Sequence, residues 1–280
     1  MFDSRHFVSF HRVAAESILF HLSLLSLFHS DLDQLATNFP WQDLKIFLEY
    51  KPYPEAPSFD NSPILGNSHH LHRLVFEVVR LSRHPLRDTR DEIDALRRQA
   101  ISLQAASKPS LWCDSDNSEP PTEPLSPSGQ QALHLWYIAL DLYALRVSHP
   151  GLGCSAQEIL DRIRDGISIL STYPTDEHCS QYICWPITVI GSVVKIRADA
   201  VVVKEKLEEI WRHSYNGHVA HTIHFLERIW TRNGIQGPEI RMVEANPMGP
   251  RDTCRRDYLP GKAYNSQCSK QGLLCCELEA

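Results

Sequence analysis

The sequence predicts an all-α fold: a single multi-helix domain with an irregular C-terminal tail. Three observations lead there. Apolar residues recur at three- and four-residue spacing through most of the first 233 positions, the period of a helix that buries one face. No pair of alternating segments marks a β-hairpin. The β-branched run Val201-Val202-Val203 is embedded in helical spacing and flanked by charges. Finally, 42% of the 280 residues are hydrophobic, enough for a substantial core and too many for a disordered chain.

The elements follow in order. Residues 13–35 read as one helix through Ile18, Leu22, Leu25 and Phe28. Residues 44–50 form a short amphipathic piece after Pro40-Trp41, and the Pro-rich stretch 51–63 cannot be helical. The period resumes at 71–83 with Leu71, Leu74, Val75, Val78 and Leu81. It continues at 91–107 with Ile93, Leu96, Ala100, Ile101 and Leu103. Residues 114–128 break the pattern: four prolines, four serines and four acids in fifteen positions predict a mobile surface loop. Residues 132–147 are apolar on nearly every face and predict a central buried helix, ended by Gly151 and Gly153.

Residues 156–170 are amphipathic through Ile159, Ile163, Ile167 and Leu170. The apolar segment 185–194 opens on Trp-Pro, and proline is tolerated in a first helical turn. Residues 199–214 carry Val203, Leu207, Ile210 and Trp211 on one side. After the turn Tyr215-Asn216-Gly217, residues 219–230 carry Val219, Ile223, Leu226 and Trp230. These two segments predict an antiparallel helical hairpin sealed by Trp211 and Trp230, with Trp185 a third core anchor. Beyond Asn233-Gly234 the period stops. The expected division is therefore a helical domain over 1–233 and an irregular tail over 234–280.

Charge narrows the function classes. With 28 Lys+Arg against 34 Asp+Glu, the net charge is -6, which argues against a surface that holds nucleic acid by itself. Arg97-Arg98 and Arg255-Arg256 are too short to change that. No run reaches the roughly 18 apolar residues a membrane helix needs. The apolar stretch 18–28 contains His21, Ser23 and Ser26, and no small-residue cleavage site follows it. An intracellular chain with reduced thiols is therefore expected for its eight cysteines.

Motif chemistry is sparse. There is no phosphate-binding glycine loop and no G-x-S-x-G turn. His218, His221 and His224 advance in steps of three, which fans them over about 120° of a helix and reads as a polar flank. His69, His70 and His72 read as surface histidines at a helix start. Cys179 and Cys184 are isolated, and Cys254, Cys268, Cys275 and Cys276 lack the knuckle spacing of a zinc module. The pairs Asp31/Asp33, Asp91/Glu92 and Glu208/Glu209 fall on helix starts or solvent faces. No catalytic, cofactor-binding or metal residue is assigned, and the chain is expected to purify without stoichiometric zinc.

The order of the helical blocks resembles a known family. Cys184-Trp185-Pro186-Ile187-Thr188-Val189-Ile190-Gly191-Ser192 is similar to the Trp-Pro…Gly element of the fungal-specific transcription factor regulatory domain. Ile196-Arg197-Ala198-Asp199-Ala200-Val201 occupies the place of that family's basic-acidic helix start. Leu207-Glu208-Glu209-Ile210-Trp211, Asn216-Gly217-His218-Val219 and Leu226-Glu227-Arg228-Ile229-Trp230 resemble its closing hairpin. Upstream, Pro63-Ile64-Leu65-Gly66-Asn67-Ser68 is similar to its glycine-containing helix entry, and 132–146 to its long buried helix. The likeness spans roughly 15–233.

The resemblance implies a non-enzymatic transcriptional regulator in the nucleus of a fungus, acting through protein contacts, self-association or an effector response. Full-length members carry six N-terminal cysteines that hold two zinc ions and read DNA. No cysteine precedes Cys113 here, so DNA binding is expected to come from a partner chain. The alternative is a helical enzyme or a small-molecule- or lipid-binding protein with a site between helices. With its net charge of -6 and no clustered cations, the purified chain is predicted to show no salt-sensitive specific DNA binding. A gel shift at physiological salt checks this, and a specific complex would refute it.

Overall fold

A computed structural model describes residues 4–26, 32–50, 53, 62, 64–65, 69–83, 88–106, 127–175, 183–214 and 217–235. Every regular element among them is helical: α1 (Ser4–Leu25), α2 (Leu32–Asn38), α3 (Trp41–Glu49), α4 (His69–Ser82), α5 (Arg90–Ala106), α6 (Pro127–Ser148), α7 (Gln157–Thr172), α8 (Cys184–Val193), α9 (Arg197–Ser214) and α10 (Gly217–Arg232). The fold is all-α, as the periodicity predicts.

Several boundaries differ from the sequence reading, the largest being the start of α1 at Ser4, nine residues before the expected 13. The single helix expected over 13–35 is two helices, α1 and α2. Near the end of α1 the hydroxyls of Ser23 and Ser26 donate back to the carbonyls of Phe20 and Ser23, at 2.7 and 2.6 Å. Serines that bond backbone carbonyls in this way compete with the helical ladder. α3 begins at Trp41, directly after Pro40, rather than at 44. α6 begins at Pro127, so the last two residues of the expected 114–128 loop belong to its first turn, where proline is favoured. The rest of that loop lies outside the described residues, as does the tail from 236 onward.

α6 is the centre. Every side chain from Leu135 to Leu145 is buried, which matches the absence of a polar face in the sequence. It packs against α4, α5, α7 and α8. α8 is buried along its whole length, all ten residues from Cys184 to Val193. A fully buried helix must let its neighbours come close, and glycine permits that. A Cβ on Gly191 would sit 2.8 Å from Leu226 Cδ1 and 3.0 Å from Val203 Cγ1. The carbonyl of Gly191 accepts the indole N–H of Trp230 at 2.8 Å.

α9 and α10 form the expected hairpin, with Val203, Leu207, Ile210, Val219, Leu226 and Trp230 buried between them and α8. Lys204, itself buried, bridges to Glu227 at 3.0 Å. α10 ends in a Schellman motif. Gly234 takes a positive φ of 73°, Gly234 N–H bonds Thr231 O, and Ile235 N–H bonds Trp230 O at 2.8 Å. Trp230 and Trp185 are core anchors, 0% and 1% exposed. Trp211 is not: it is half-buried against the core edge, because the neighbouring Ile210 takes the inward position.

These placements set an order of stabilities. Trp230→Ala and Trp185→Ala are each expected to cost about 3–5 kcal/mol. Trp211→Ala should cost about 1 kcal/mol. Gly191→Ala should lose about 1–3 kcal/mol by overpacking against Leu226 and Val203. Urea unfolding of the four variants checks the ranking, and a Trp211 loss as large as that at Trp230 would contradict it.

Candidate functional site

Chemistry on a helical scaffold has to come from polar groups that the core holds in place. Besides the Lys204–Glu227 bridge of the hairpin, three such groups are prominent among the described residues. The first centres on Asp141, an acid in the otherwise apolar run of α6, 6% exposed. Arg97 of α5 donates Nε–H to one carboxylate oxygen at 2.5 Å, and Arg162 of α7 donates to the other at 2.6 Å. Arg97 also reaches Glu158 at 2.6 Å. Burial opposes the charge on Arg97, but the bonds to Asp141 and Glu158 outweigh it, so its guanidinium holds its proton above the usual arginine range.

A cleft of about 260 Å³ opens beside this cluster, between Ile101 on α5, His134 and Tyr137 on α6, and Arg162 and Asp165 on α7. Sites that enclose a drug-sized ligand usually measure about 300–1,000 Å³. The cleft falls below that range, and the Asp141 and Arg162 charges in it are bonded to each other.

The second group lies under the N-terminal helices. Arg12 and Glu16, one turn apart on α1, are 5% and 0% exposed and pair at 2.6 Å. Arg12 also donates to the carbonyls of Phe47 and Tyr50 at the end of α3, at 2.9 and 3.1 Å. Glu16 accepts the backbone amides of Ile64 and Leu65, at 2.9 and 3.2 Å. This is a structural clamp that draws its partners from three segments.

The third group holds the histidines of α4. His72 is not at the surface, as the sequence reading expected: it is 4% exposed. It sits three and four residues before Val75 and Phe76, within the apolar stripe, and that spacing was the available signal. Its Nδ1 meets Ser23 Oγ at 3.0 Å. Its ring lies 4.4 Å from that of Trp136, which stacks on Trp185 at 5.1 Å with planes 2° apart. Burial, reinforced by His69, pulls the pKa of His72 down to about 3, so the ring is neutral. His69 is half-buried. Burial first, then the positive charge it would face from His70, Arg12 and Lys45, pulls its pKa down to about 4. His70 is lowered by burial, against the opposing pull of Glu49.

The remaining sequence candidates are scattered. His218, His221 and His224 are all exposed on α10. Cys184 is buried, its thiol pushed up to about 12 by desolvation, and Cys154 is also buried. Cys179 and the four tail cysteines lie outside the described residues, as does Asp31. Asp91 and Glu92 occupy the first turn of α5. Glu208 and Glu209 each face a lysine one turn away, Lys204 and Lys206.

The family model of the fungal specific transcription factor domain matches residues 5–249. The chain belongs to this family. No curated protein and no solved structure matches it.

Seen as a fungal transcription factor domain, the chain uses the residues that carry the resemblance for packing. Trp185 stacks on the central helix, Pro186 starts α8, and Gly191 admits the closing hairpin. The match extends beyond the 15–233 span of the sequence blocks at both ends. No described helix is long and apolar enough to cross a membrane.

The Asp141 cluster gives a direct test. Asp141→Ala removes the partner shared by two part-buried arginines, of which Arg97 keeps Glu158, and is expected to cost about 1–3 kcal/mol. Arg162→Ala, on a more exposed side chain, should cost clearly less. Denaturant unfolding separates the two. Equal losses would show that Asp141 does not hold the cluster.

Proposed function

We propose that this domain regulates transcription in the fungal nucleus by binding other proteins, with DNA recognition supplied by a partner chain. The family match over 5–249 carries the reading. The architecture supports it. The described buried charges of the Asp141 cluster and the N-terminal clamp are bonded within the domain and hold helices in register. Large apolar side chains stand exposed on α1 and at α3, with Phe10 71%, Ile46 59% and Tyr50 61% accessible. The partners proposed are the transcription machinery, a DNA-binding partner chain or a second copy.

The proposal keeps residues 1–233 as the regulatory unit and 234–280 as an appended tail.

The test is a reporter experiment. The full chain, fused to an unrelated DNA-binding domain in fungal cells, should change transcription from the matching promoter. Output equal to that of the DNA-binding domain alone would reject the proposal.

A further inference from the structure

The geometry points to a divalent-metal site of the zinc class, formed by Glu49 at the end of α3 and by His69 and His70 in the first turn of α4. One nitrogen of each imidazole and a carboxylate oxygen all lie within 4.8 Å of one another. Glu49 Oε1 is 3.8 Å from His70 Nε2. The two rings stand 3.9 Å apart, tilted by 42°. Independently of that grouping, His69 Nε2 is buried and has no hydrogen-bond partner among the described residues. A buried ring nitrogen without a partner forfeits its solvation, and a metal is one group that restores it.

The donor set selects the ion. Two imidazoles and one carboxylate suit Zn²⁺, Co²⁺ or Ni²⁺. Ca²⁺ and Mg²⁺ require mainly oxygen ligands, and more of them. Ligands bound at about 2.0–2.2 Å to a tetrahedral ion stand about 3.3 Å apart, so groups within 4.8 Å of one another need to close by at most about 1.5 Å. Glu49 is exposed and free to swing by that amount. Three protein ligands leave the fourth position to water.

Charge near the site is mixed. Lys45 Nζ lies 3.7 Å from the same Glu49 oxygen and competes with a metal for it. Arg73 also acts on His70. Arg12 is already paired with Glu16. Lys45 is therefore the local cation that a bound ion must displace. Occupied, the site would pin the end of α3 to the start of α4, beside the Arg12 clamp. Such a site runs against the zinc-free chain expected from the sequence, where spacing hid it because Glu49 stands twenty positions before His69.

Metal-free full-length chain titrated with Co²⁺, followed by visible absorption, and with Zn²⁺, followed by calorimetry, tests the site. One ion per chain is expected, with a nitrogen/oxygen spectrum and no thiolate charge-transfer band. Glu49→Gln and His70→Gln change accessible side chains and should leave the helical circular dichroism intact. Each should weaken binding by about tenfold or more. Lys45→Gln should tighten it several-fold. Joint replacement of His218, His221 and His224 by Gln should leave it unchanged. The proposal is overturned by any of four results: no binding, binding that survives Glu49→Gln and His70→Gln, a thiolate band, or loss of binding in the α10 variant.

Discussion

Two helical stretches with no solvent face, Leu135 to Leu145 of α6 and the whole of α8, impose the rest of the arrangement. α6 and α8 satisfy their own backbones but have to be covered with apolar surface on every side. They meet where Trp136 lies flat on Trp185, with His72 against one side of the pair and Tyr143 near the other. Around that contact the amphipathic helices have a single task, to supply apolar cover. α4 and α5 cover α6 from one direction and α7 from another, while α9 and α10 close over α8. The cover is tight enough that side chains which would be acceptable on a surface are excluded. On α7, a Cβ at Gly166 would lie 2.9 Å from Ile190. The indole N–H of Trp185 has no acceptor among the described residues, so the stack carries a polar penalty that its burial of ring surface must exceed.

Buried charges follow a common rule here. Each carboxylate or ammonium taken into the interior meets partners from segments distant in sequence. Asp141 joins α6 to α5 and α7, Glu16 joins α1 to the turn at 64–65, and Lys204 joins α9 to α10. Desolvation consumes much of the attraction in such pairs, so their net stabilisation is modest. A displaced partner, however, is costly. The ion pairs therefore serve mainly to fix which helix sits beside which, a specification that apolar packing alone leaves loose.

Much of this was legible in the sequence, for reasons visible in individual residues. The buried run from Leu135 to Leu145 could not be a surface helix, and the Leu207/Ile210 and Val219/Leu226 stripes could only face each other. Proline and glycine marked a helix start at Pro186 and a helix end at Gly234. Local competition was harder to read. The serines at 23 and 26 end a helix that apolar spacing continues, and Trp211 differs from Ile210 by one residue of rotation, too fine a distinction for the period alone. Long-range polar pairing was hidden altogether. Nothing near Asp141 in the sequence announces Arg97 or Arg162, and the histidines at 69 and 72, three residues apart, have very different surroundings.

The clamp on α1 bears on how such a domain can vary in length. Arg12 holds the chain where α3 ends, and Glu16, one turn later, holds the amides at 64 and 65. Both ends of the intervening segment are thus moored to neighbouring points on one helix. Whatever its length, its ends are brought together by bonds it does not itself supply. The two anchors therefore fix where this segment leaves and rejoins the core without fixing how many residues lie between them.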